Sequence, residues 1–492
     1  MNSTTSYRSI FKATSLFGGV QAMQILLNLV RVKFIAVILG AVGMGLNTMF
    51  SSTISLISNL AGLRLNNSAV REISRAKETG DSVTLSKTVI TLKRWLYVSS
   101  IIGFVLVILL SPLLSRLSFN SSNYTVAFIF LSLMVIFNTL SMGNASIMQG
   151  MRNLKKFALY SLTGSAVSLI LSVPLYFLFG IKAIVPALVA SSLITYLFSR
   201  FYVSSIKTAP VKISWKESYV SGRGMVKLGV LMLTSSSIGS MVNYLVNLYI
   251  INRGSVVDLG LYQAGTSVVS QSVGLIFTAM VVDYYPRLAA ICDNKEKANE
   301  MVNQQTEIAL LIAIPVLSII MIAAPVIIRI LWTREYLVIA DFMRILSLAM
   351  VFKVPGYSIG FLLVAKGDKK AFFYVEALFA NISLLIACVV GYRLNGLTGL
   401  AWGYIVMHVC YFLLVVTVTW RKFSFSININ LWKQFLLQLL CVLAVFLFLL
   451  FLKGVAGYII ASLICLLLLL YSLKLLDEMI DIKGFLKERF SR

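Results

Sequence analysis

Residues 13–39 read ATSLFGGVQAMQILLNLVRVKFIAVIL, an apolar run interrupted at regular intervals by Gln21, Gln24, Asn28 and Arg31. The run is long enough to cross the roughly 30 Å hydrocarbon core of a bilayer as one α-helix. Because these four residues are separated by three or four positions, they occupy one face of that helix, within about 80° of arc. Hydrocarbon disfavours such a polar face, so the pattern predicts a helix that borders a water-filled cavity.

Apolar runs of similar length recur along the whole chain. Hydrophobic residues make up 59% of the 492 residues and charged residues 12%, which leaves too little polar surface to cover a soluble core. We therefore predict an all-α polytopic membrane protein of about fourteen transmembrane helices, with no catalytic apparatus. The predicted spans are 13–39, 46–68, 95–115, 125–148, 157–179, 183–204, 227–251, 259–283, 306–328, 341–364, 371–391, 398–420, 432–452 and 456–474.

The chain is strongly basic, with 43 Lys and Arg against 18 Asp and Glu and a formal net charge of +25. Such an excess also occurs in nucleic-acid-binding proteins. Here, however, most of the cations lie on connections that share one side of the predicted membrane, which is the positive-inside pattern. The pattern predicts that both termini are cytoplasmic and that nucleic acid is not a partner.

Cysteine and histidine are scarce. The chain contains five cysteines and one histidine, and the cysteines lie in predicted spans or, for Cys292, on a cytoplasmic connection. No external pair indicates a disulfide framework, and no Cys/His spacing is typical of a metal site. We predict neither a metal nor a cofactor.

A weak internal repeat has an offset of 215 residues. It pairs Lys12 with Lys227, Asn28 with Asn243, Gly45 with Gly260, Leu46 with Leu261, Ser52 with Ser267 and Ser55 with Ser270. The offset places span 7 opposite span 1 in the same orientation, which predicts two six-helix lobes in a parallel pseudo-two-fold repeat. The predicted divisions are an N-lobe (1–205), a cytoplasmic linker (206–226), a C-lobe (227–420), two C-terminal helices (421–474) and a cytoplasmic amphipathic tail (475–492).

Span 7 repeats the polar face of span 1. Ser236, Ser240, Asn243 and Asn247 recur at intervals of three or four residues, and Gln263 follows in span 8. With Gln21, Gln24 and Asn28, these residues are our predicted polar lining of the cavity. Helix packing is the alternative explanation for small polar side chains in membranes, and we favour it for the serine stripe of span 5.

The deep charges of the spans are cationic. Lys353 lies near the midplane of span 10, where a lysine is expensive unless it faces a cavity or a partner. A cavity lined by Arg and Lys is suited to an anion, and Arg binds phosphate with two parallel hydrogen bonds. The predicted cavity cations are Arg31, Lys33, Arg64 and Lys353, with snorkelling as the alternative for Lys33 and Arg64.

Acidic residues lie mainly at the cytoplasmic ends of spans. Asp283, Glu307 and Glu376 are candidates either for binding a coupling cation or for structural pairing with nearby basic groups, and we favour pairing.

Four stretches together resemble the O-antigen flippases (Wzx type), a branch of the multidrug/oligosaccharidyl-lipid/polysaccharide exporter superfamily. The resemblance covers most of the chain up to about residue 420. It is carried by LVRVKFIAVILGAVGMGL (29–46), YYPRLAAI (284–291), VFKVPGYSIGFLLVAKGDKKAFFYVE (351–376) and GLTGLAWGYIVMHVCYFLL (396–414).

The resemblance implies a flippase of the bacterial inner membrane that moves an undecaprenyl-diphosphate-linked oligosaccharide, the O-antigen repeat unit, by alternating access. Lys33 and Lys353 match the family's intramembrane cations. The related lipid II flippases keep an arginine in helix 8, and span 8 here has none, which argues against lipid II as the substrate. Implied partners are the polyprenyl-diphosphate-linked oligosaccharide, membrane lipids and other polysaccharide assembly proteins.

Three alternatives remain open: a related exporter, an enzyme and a scaffold. A cation-coupled multidrug or other lipid-linked exporter of the same superfamily would be favoured by deep acidic residues in spans 1 or 7, which the sequence lacks. A polysaccharide polymerase or ligase would need large external loops, whereas the longest predicted here is about a dozen residues. A scaffold without transport would leave the deep cations and the paired polar faces unexplained.

Overall fold

The computed structural model describes residues 3–206, 209–452 and 454–480, and it is helical throughout those ranges with no strand. Within them the side chains of residues 3–18, 67, 228, 231, 232, 234–236, 279, 282 and 480 are not described. The helices are α1 (Ser3–Ala61), α2 (Leu65–Glu78), α3 (Ser82–Phe119), α4 (Thr125–Gly150), α5 (Leu154–Phe179), α6 (Ile184–Ser204), α7 (Trp215–Arg253), α8 (Val256–Ala279), α9 (Tyr285–Ile291), α10 (Lys295–Leu331), α11 (Ala340–Ala365), α12 (Lys369–Phe372), α13 (Ala380–Phe423), α14 (Ile429–Phe451) and α15 (Val455–Ile480).

The predicted fold class is confirmed. In the described part of the chain, eight helical stretches are long and apolar enough to cross a membrane. Some of these stretches hold two predicted spans each. In α1 the two spans meet at Gly40, whose φ of 66° is non-helical, and in α13 they meet at Gly396, with a φ of 51°. Glycine adopts positive φ without the steric penalty of a Cβ, so each kink falls where the sequence permits it.

The predicted end of the second span is wrong. We expected it to reach residue 68, but α1 ends at Ala61 because Leu63 and Arg64 both adopt left-handed backbone conformations (φ 47° and 49°). The chain then continues as α2, which buries Leu65, Ala69 and Ile73, one turn apart, against α3 and α4. The sequence becomes polar gradually here, with Arg64, Asn66 and Asn67 among Leu63, Leu65 and Ala69, so hydropathy does not mark the position of the break.

The chain divides into two compact units, residues 1–263 and 264–492. In the first unit, α3 packs against α4, α4 against α6, and α6 against α5, with α1 along α4 and α5. In the second unit, α11 lies between α10 and α13 and is buried along most of its length. The boundary falls within α8, so the predicted lobes 1–205 and 227–420 remain a prediction. The predicted tail begins inside α15, and residues 481–492 of it lie outside the described residues.

The side-chain carboxylate of Asp368 stabilises the connection between α11 and α12. Asp368 accepts a hydrogen bond from the backbone N–H of Ala371 at 2.9 Å and another from Lys422 Nζ at 2.7 Å. The Ala371 N–H and then Lys422 favour the ionised form and lower the pKa of Asp368 below its usual value. Because the folded pKa is depressed, the carboxylate stabilises the protein above its unfolded pKa of about 3.9, and this contribution is lost as the pH falls below that.

We expect Asp368→Ala to lower the stability of the detergent-solubilised protein by about 1 kcal/mol at pH 7, the usual contribution of a helix N-cap. Asp368→Asn keeps the acceptor and removes the charge, so it should fall between Asp368→Ala and the unsubstituted protein. Thermal unfolding at pH 7 and again below pH 4 checks this, because the difference between the unsubstituted protein and Asp368→Asn should narrow at the lower pH. A pH-independent difference would show that the charge contributes nothing.

Candidate functional site

Two cavities meet at Arg31 in the first unit. Cavity A, of about 300 Å³, lies among α1, α4, α5 and α6, and cavity B, of about 340 Å³, lies among α1, α6, α7 and α8. Both are lined by Asn28, Arg31, Ser51 and Leu188, so they adjoin each other on either side of the guanidinium. A substrate group that reaches Arg31 is therefore within reach of both linings.

Arg31 is half-buried, and hydroxyl groups surround its guanidinium. Its Nη2 lies 3.4 Å from Ser191 Oγ, within hydrogen-bonding distance, and the Tyr176 hydroxyl is close by. Among the described residues Arg31 forms no ion pair. Since a guanidinium carries five N–H donors, most of its donor capacity is available to an anion that enters either cavity.

Arg344 in the second unit shows the opposite arrangement. Its side chain is buried, Nη1 pairs with Asp341 Oδ1 at 2.8 Å, and Nη2 donates to the Tyr458 hydroxyl at 2.7 Å. Its charge and its donors are thus satisfied by the protein itself. Arg344 is therefore a structural arginine. Arg31 differs from it, because its neighbours are hydroxyl groups and none of them is a carboxylate.

Amide groups supply the rest of the polar lining. Gln24 in cavity A donates from Nε2 to Ser161 Oγ. In cavity B the Oδ1 atoms of Asn47 and Asn247 are buried and have no hydrogen-bond partner within the described chain. Buried acceptors normally have a donor, so these two favour a ligand or water that brings hydroxyl groups into the cavity.

The structure brings together six of the predicted residues: Gln24, Asn28, Arg31, Asn243, Asn247 and Gln263 line cavity A, cavity B or both. Gln21, Lys33, Arg64 and Ser240 are absent from the described linings of the two cavities. Lys33 is exposed, Arg64 lies in the left-handed turn before α2, and Ser240 Oγ lies 3.5 Å from the Asn59 amide. Ser236 falls among the side chains that are not described.

Sequence reasoning missed several lining residues. Ser165 and Ser168 belong to the serine stripe that we assigned to helix packing, and they line cavity A. Asn138 of α4 and Ser191 of α6 also line cavity A and had not been singled out. The serine stripe was a signal for α5 alone, and its spacing does not distinguish a packing face from a cavity face. Asn138 and Ser191 had no comparable signal.

Lys353 belongs to the second unit, on α11. The side chain is half-buried, and Nζ lies 5.6 Å from the centre of the Phe277 ring, a distance typical of a cation–π contact. Within the described chain Lys353 forms no ion pair. Like Arg31, it is a membrane-embedded cation without a carboxylate partner.

The three acidic candidates differ from one another. Asp283 forms an exposed ion pair with Arg287, one helical turn away, at 2.5 Å. Glu307 is half-buried on α10. Glu376 lies in a π-helical segment, Phe373–Phe379, and accepts a hydrogen bond of 2.5 Å from the buried Tyr411 hydroxyl.

The long apolar helices and the two polar cavities that share Arg31 together define a multi-pass α-helical membrane protein. The structure is similar to that of "Lipid II flippase MurJ, inward closed conformation", with a TM-score of 0.70 at 17% identity over 94% of this chain and 99% of that one. It is also similar to an inward-facing multidrug resistance MATE transporter of the MOP superfamily (TM-score 0.67, 16% identity, 82% and 98% covered). A third match is the MATE multidrug transporter DinF-BH (TM-score 0.60, 20% identity, 84% and 95% covered).

The sequence identifies the family of the chain, which the structural similarities do not. Residues 34–341 match the model of the polysaccharide biosynthesis protein family, and the chain belongs to that family. No curated protein matches the sequence. The expected link to polysaccharide biosynthesis is thus confirmed, and the expected fold is shared with the lipid II flippase and the MATE transporters.

Proposed function

We propose that this protein is a flippase that moves a polyprenyl-diphosphate-linked oligosaccharide across the membrane, and that Arg31 binds the diphosphate. The observation that carries the proposal is the guanidinium of Arg31, which has no carboxylate partner in the described chain and lies between two polar cavities. Membership of the polysaccharide biosynthesis family supports a glycan as the cargo. The similarity to a lipid II flippase supports a lipid-linked form of it.

The chemistry of the linings matches the two parts of such a head group. A diphosphate presents adjacent anionic oxygens, which a planar guanidinium binds through paired charge-assisted hydrogen bonds. Sugars present hydroxyl groups that both donate and accept. The amides of Asn28, Asn47, Asn243 and Asn247, and serine hydroxyls beside them, provide both kinds of partner.

The remaining parts of the proposal concern the transport cycle. The head group crosses by alternating access while the polyprenyl tail stays in lipid, and Lys353 provides a further cation for the diphosphate. The cargo is an O-antigen repeat unit, the membrane is the bacterial inner membrane, and both termini are cytoplasmic. Lys33 and Arg64 take a lesser part, because neither lines cavity A or cavity B.

Reconstitution tests the proposed function. The purified protein is placed in liposomes that contain a lipid-linked oligosaccharide, and an impermeant glycosidase measures how much of the lipid is exposed on the outside over time. We expect the protein to bring the inner-leaflet pool to the outside, whereas protein-free liposomes should leave about half of the lipid protected. Addition of a cationic rhodamine dye should not compete, because a cationic drug is repelled by Arg31.

The opposite pattern would overturn the proposal. If the rhodamine dye is transported and the lipid-linked oligosaccharide is not, the protein is a drug exporter. If the oligosaccharide lipid stays protected in liposomes whose protein is folded and monodisperse, the cargo is wrong.

A further inference from the structure

A third cavity, of about 480 Å³, opens among α3, α4 and α6 of the first unit. We call it the α3/α6 cleft. Its polar lining consists of Lys93 and Tyr97 from α3, Asn144 from α4, and Tyr196 and Arg200 from α6. It shares no lining residue with cavity A or cavity B, so it is a separate site.

Two cations converge in this cleft. Lys93 and Arg200 are close enough for the charge of Arg200 to act unfavourably on Lys93. The lining contains no Asp or Glu, and neither cation forms an ion pair in the described part of the chain. The nearest polar partner of Arg200 is the Tyr196 hydroxyl, 3.5 Å from Nη1. An anion held between the two side chains would replace repulsion with two attractive contacts.

The position of the cleft indicates which anions reach it. Lys93 lies just before predicted span 3, and Arg200 lies in the last turns of predicted span 6, at ends that the charge distribution places on the cytoplasmic side. On α6 the flanking side chains of Leu197 and Phe201 are 51% and 68% exposed, which makes the surface beside the cleft apolar. The cleft therefore combines a cationic pocket with an apolar flank at the level of lipid head groups.

Snorkelling alone does not account for the arrangement. A lone lysine or arginine at a helix end extends away from the protein into water. Lys93 and Arg200 are also exposed, but they come from different helices and line one cavity with two tyrosines and an amide. The amide belongs to Asn144, which is only 9% exposed and donates to Ser199 Oγ at 3.0 Å, so the floor of the cleft is held in place.

We infer that the α3/α6 cleft binds the phosphate of a membrane lipid between Lys93 and Arg200, with the lipid chains against the apolar surface of α6. The inference does not depend on the proposed function, because the cleft is separate from cavities A and B. The same phosphate chemistry is offered by an anionic glycerophospholipid and by a polyprenyl diphosphate, and the experiment distinguishes the two.

The test is a titration of delipidated full-length protein, followed by native mass spectrometry. The probes are phosphatidylglycerol, phosphatidylcholine, undecaprenyl diphosphate and inorganic phosphate. We expect phosphatidylglycerol or undecaprenyl diphosphate to bind more tightly than phosphatidylcholine. Lys93→Gln and Arg200→Gln should each weaken that binding about fivefold, and the double variant should weaken it about 25-fold.

Two control variants localise the effect. Lys93→Arg keeps the charge and should bind as the unsubstituted protein does. Lys182→Gln removes a single cation from a different, largely apolar cavity of the same unit and should leave the tightest binding unchanged. Tighter binding of phosphatidylglycerol identifies a bulk lipid as the occupant, whereas tighter binding of undecaprenyl diphosphate identifies a substrate-like lipid, and either result supports the cleft.

Several results would overturn the inference. Binding that the double variant retains would place the lipid elsewhere. Equal loss in Lys182→Gln would show a general effect of net charge. Inorganic phosphate that binds as tightly as the lipids, or phosphatidylcholine that binds as tightly as phosphatidylglycerol, would remove the case for an anionic lipid.

Discussion

Replacement of Arg31 by alanine is expected to reduce translocation of the lipid-linked oligosaccharide by about 30-fold or more. Arg31 is one of four residues that line both cavity A and cavity B, and it is the one cation in either described lining. Hydrogen bonds to charged groups contribute about 1.5–3 kcal/mol each, and a diphosphate bound by a guanidinium makes two of them. Folding should be little affected, because the guanidinium contacts only the hydroxyl groups of Ser191, at 3.4 Å, and Tyr176, and it forms no ion pair in the described structure.

Two variants make this prediction specific. Arg31→Lys keeps the charge but loses the paired geometry, so it should retain part of the activity. Lys33→Ala removes a cation two residues away, which is exposed and lines neither cavity, and it should cost much less. The measurement is the glycosidase-protection assay at matched amounts of monodisperse protein. Full activity of Arg31→Ala, or equal losses in Arg31→Ala and Lys33→Ala, would refute the role of Arg31.

The polar face of the first helix and the positions of the membrane-spanning helices are the features that the sequence predicts well. Helical periodicity is a local property, so the spacing of Gln21, Gln24, Asn28 and Arg31 was enough to predict one polar face. Gln24, Asn28 and Arg31 line the cavities, whereas Gln21 lines neither. Lys33, which we predicted as a cavity cation with snorkelling as the alternative, lies about 200° from Arg31 around the helix, and its exposed side chain lines neither cavity. Membrane-spanning helices were predictable for a similar reason, since hydrocarbon requires a long apolar run in each of them.

Features that depend on distant parts of the chain were not predictable. Ser191 and Asn138 reach cavity A only because α4 and α6 pack beside α1, and neither carries a local signal. The end of the second span was misplaced because two residues with left-handed backbone conformations, Leu63 and Arg64, end the helix where the sequence becomes polar only gradually. Lys93 and Arg200 were not singled out in the sequence, and they line one cleft because α3 and α6 both pack against α4.

The internal repeat drew attention to Gly45 and Gly260, and in the structure these two glycines lie against each other's helices. A Cβ on Gly45 would lie 1.9 Å from the backbone carbonyl oxygen of Val256. A Cβ on Gly260 would lie 2.0 Å from the carbonyl oxygen of Ala41 and 3.1 Å from the nitrogen of Gly45. The contact is therefore reciprocal, and α1 and α8 approach each other here at backbone distance. Glycine is typical of such close crossings in membranes, where packing provides much of the attraction between helices.

We expect Gly260→Ala to destabilise the protein by about 3 kcal/mol, the upper end of the usual cost of overpacking, because the obstructing atom is a backbone oxygen that moves only if the helices separate. Gly45→Ala should have a similar effect for the same reason. Gly274→Ala is the matched control on α8, since a Cβ there meets nothing within 4 Å. That variant should be neutral or slightly stabilising, because alanine favours a helix over glycine by up to about 1 kcal/mol.

Thermal unfolding in detergent, with fluorescence-detected size exclusion to measure the folded fraction, compares the three variants. Both Gly45→Ala and Gly260→Ala should melt well below the unsubstituted protein, and Gly274→Ala should not. Because helix propensity alone would stabilise all three variants, a loss confined to the two crossing glycines isolates the cost of separating α1 from α8. If Gly260→Ala melts together with Gly274→Ala, the two helices do not approach as closely as the backbone distances indicate, and cavity B, which both helices line, would have a different shape.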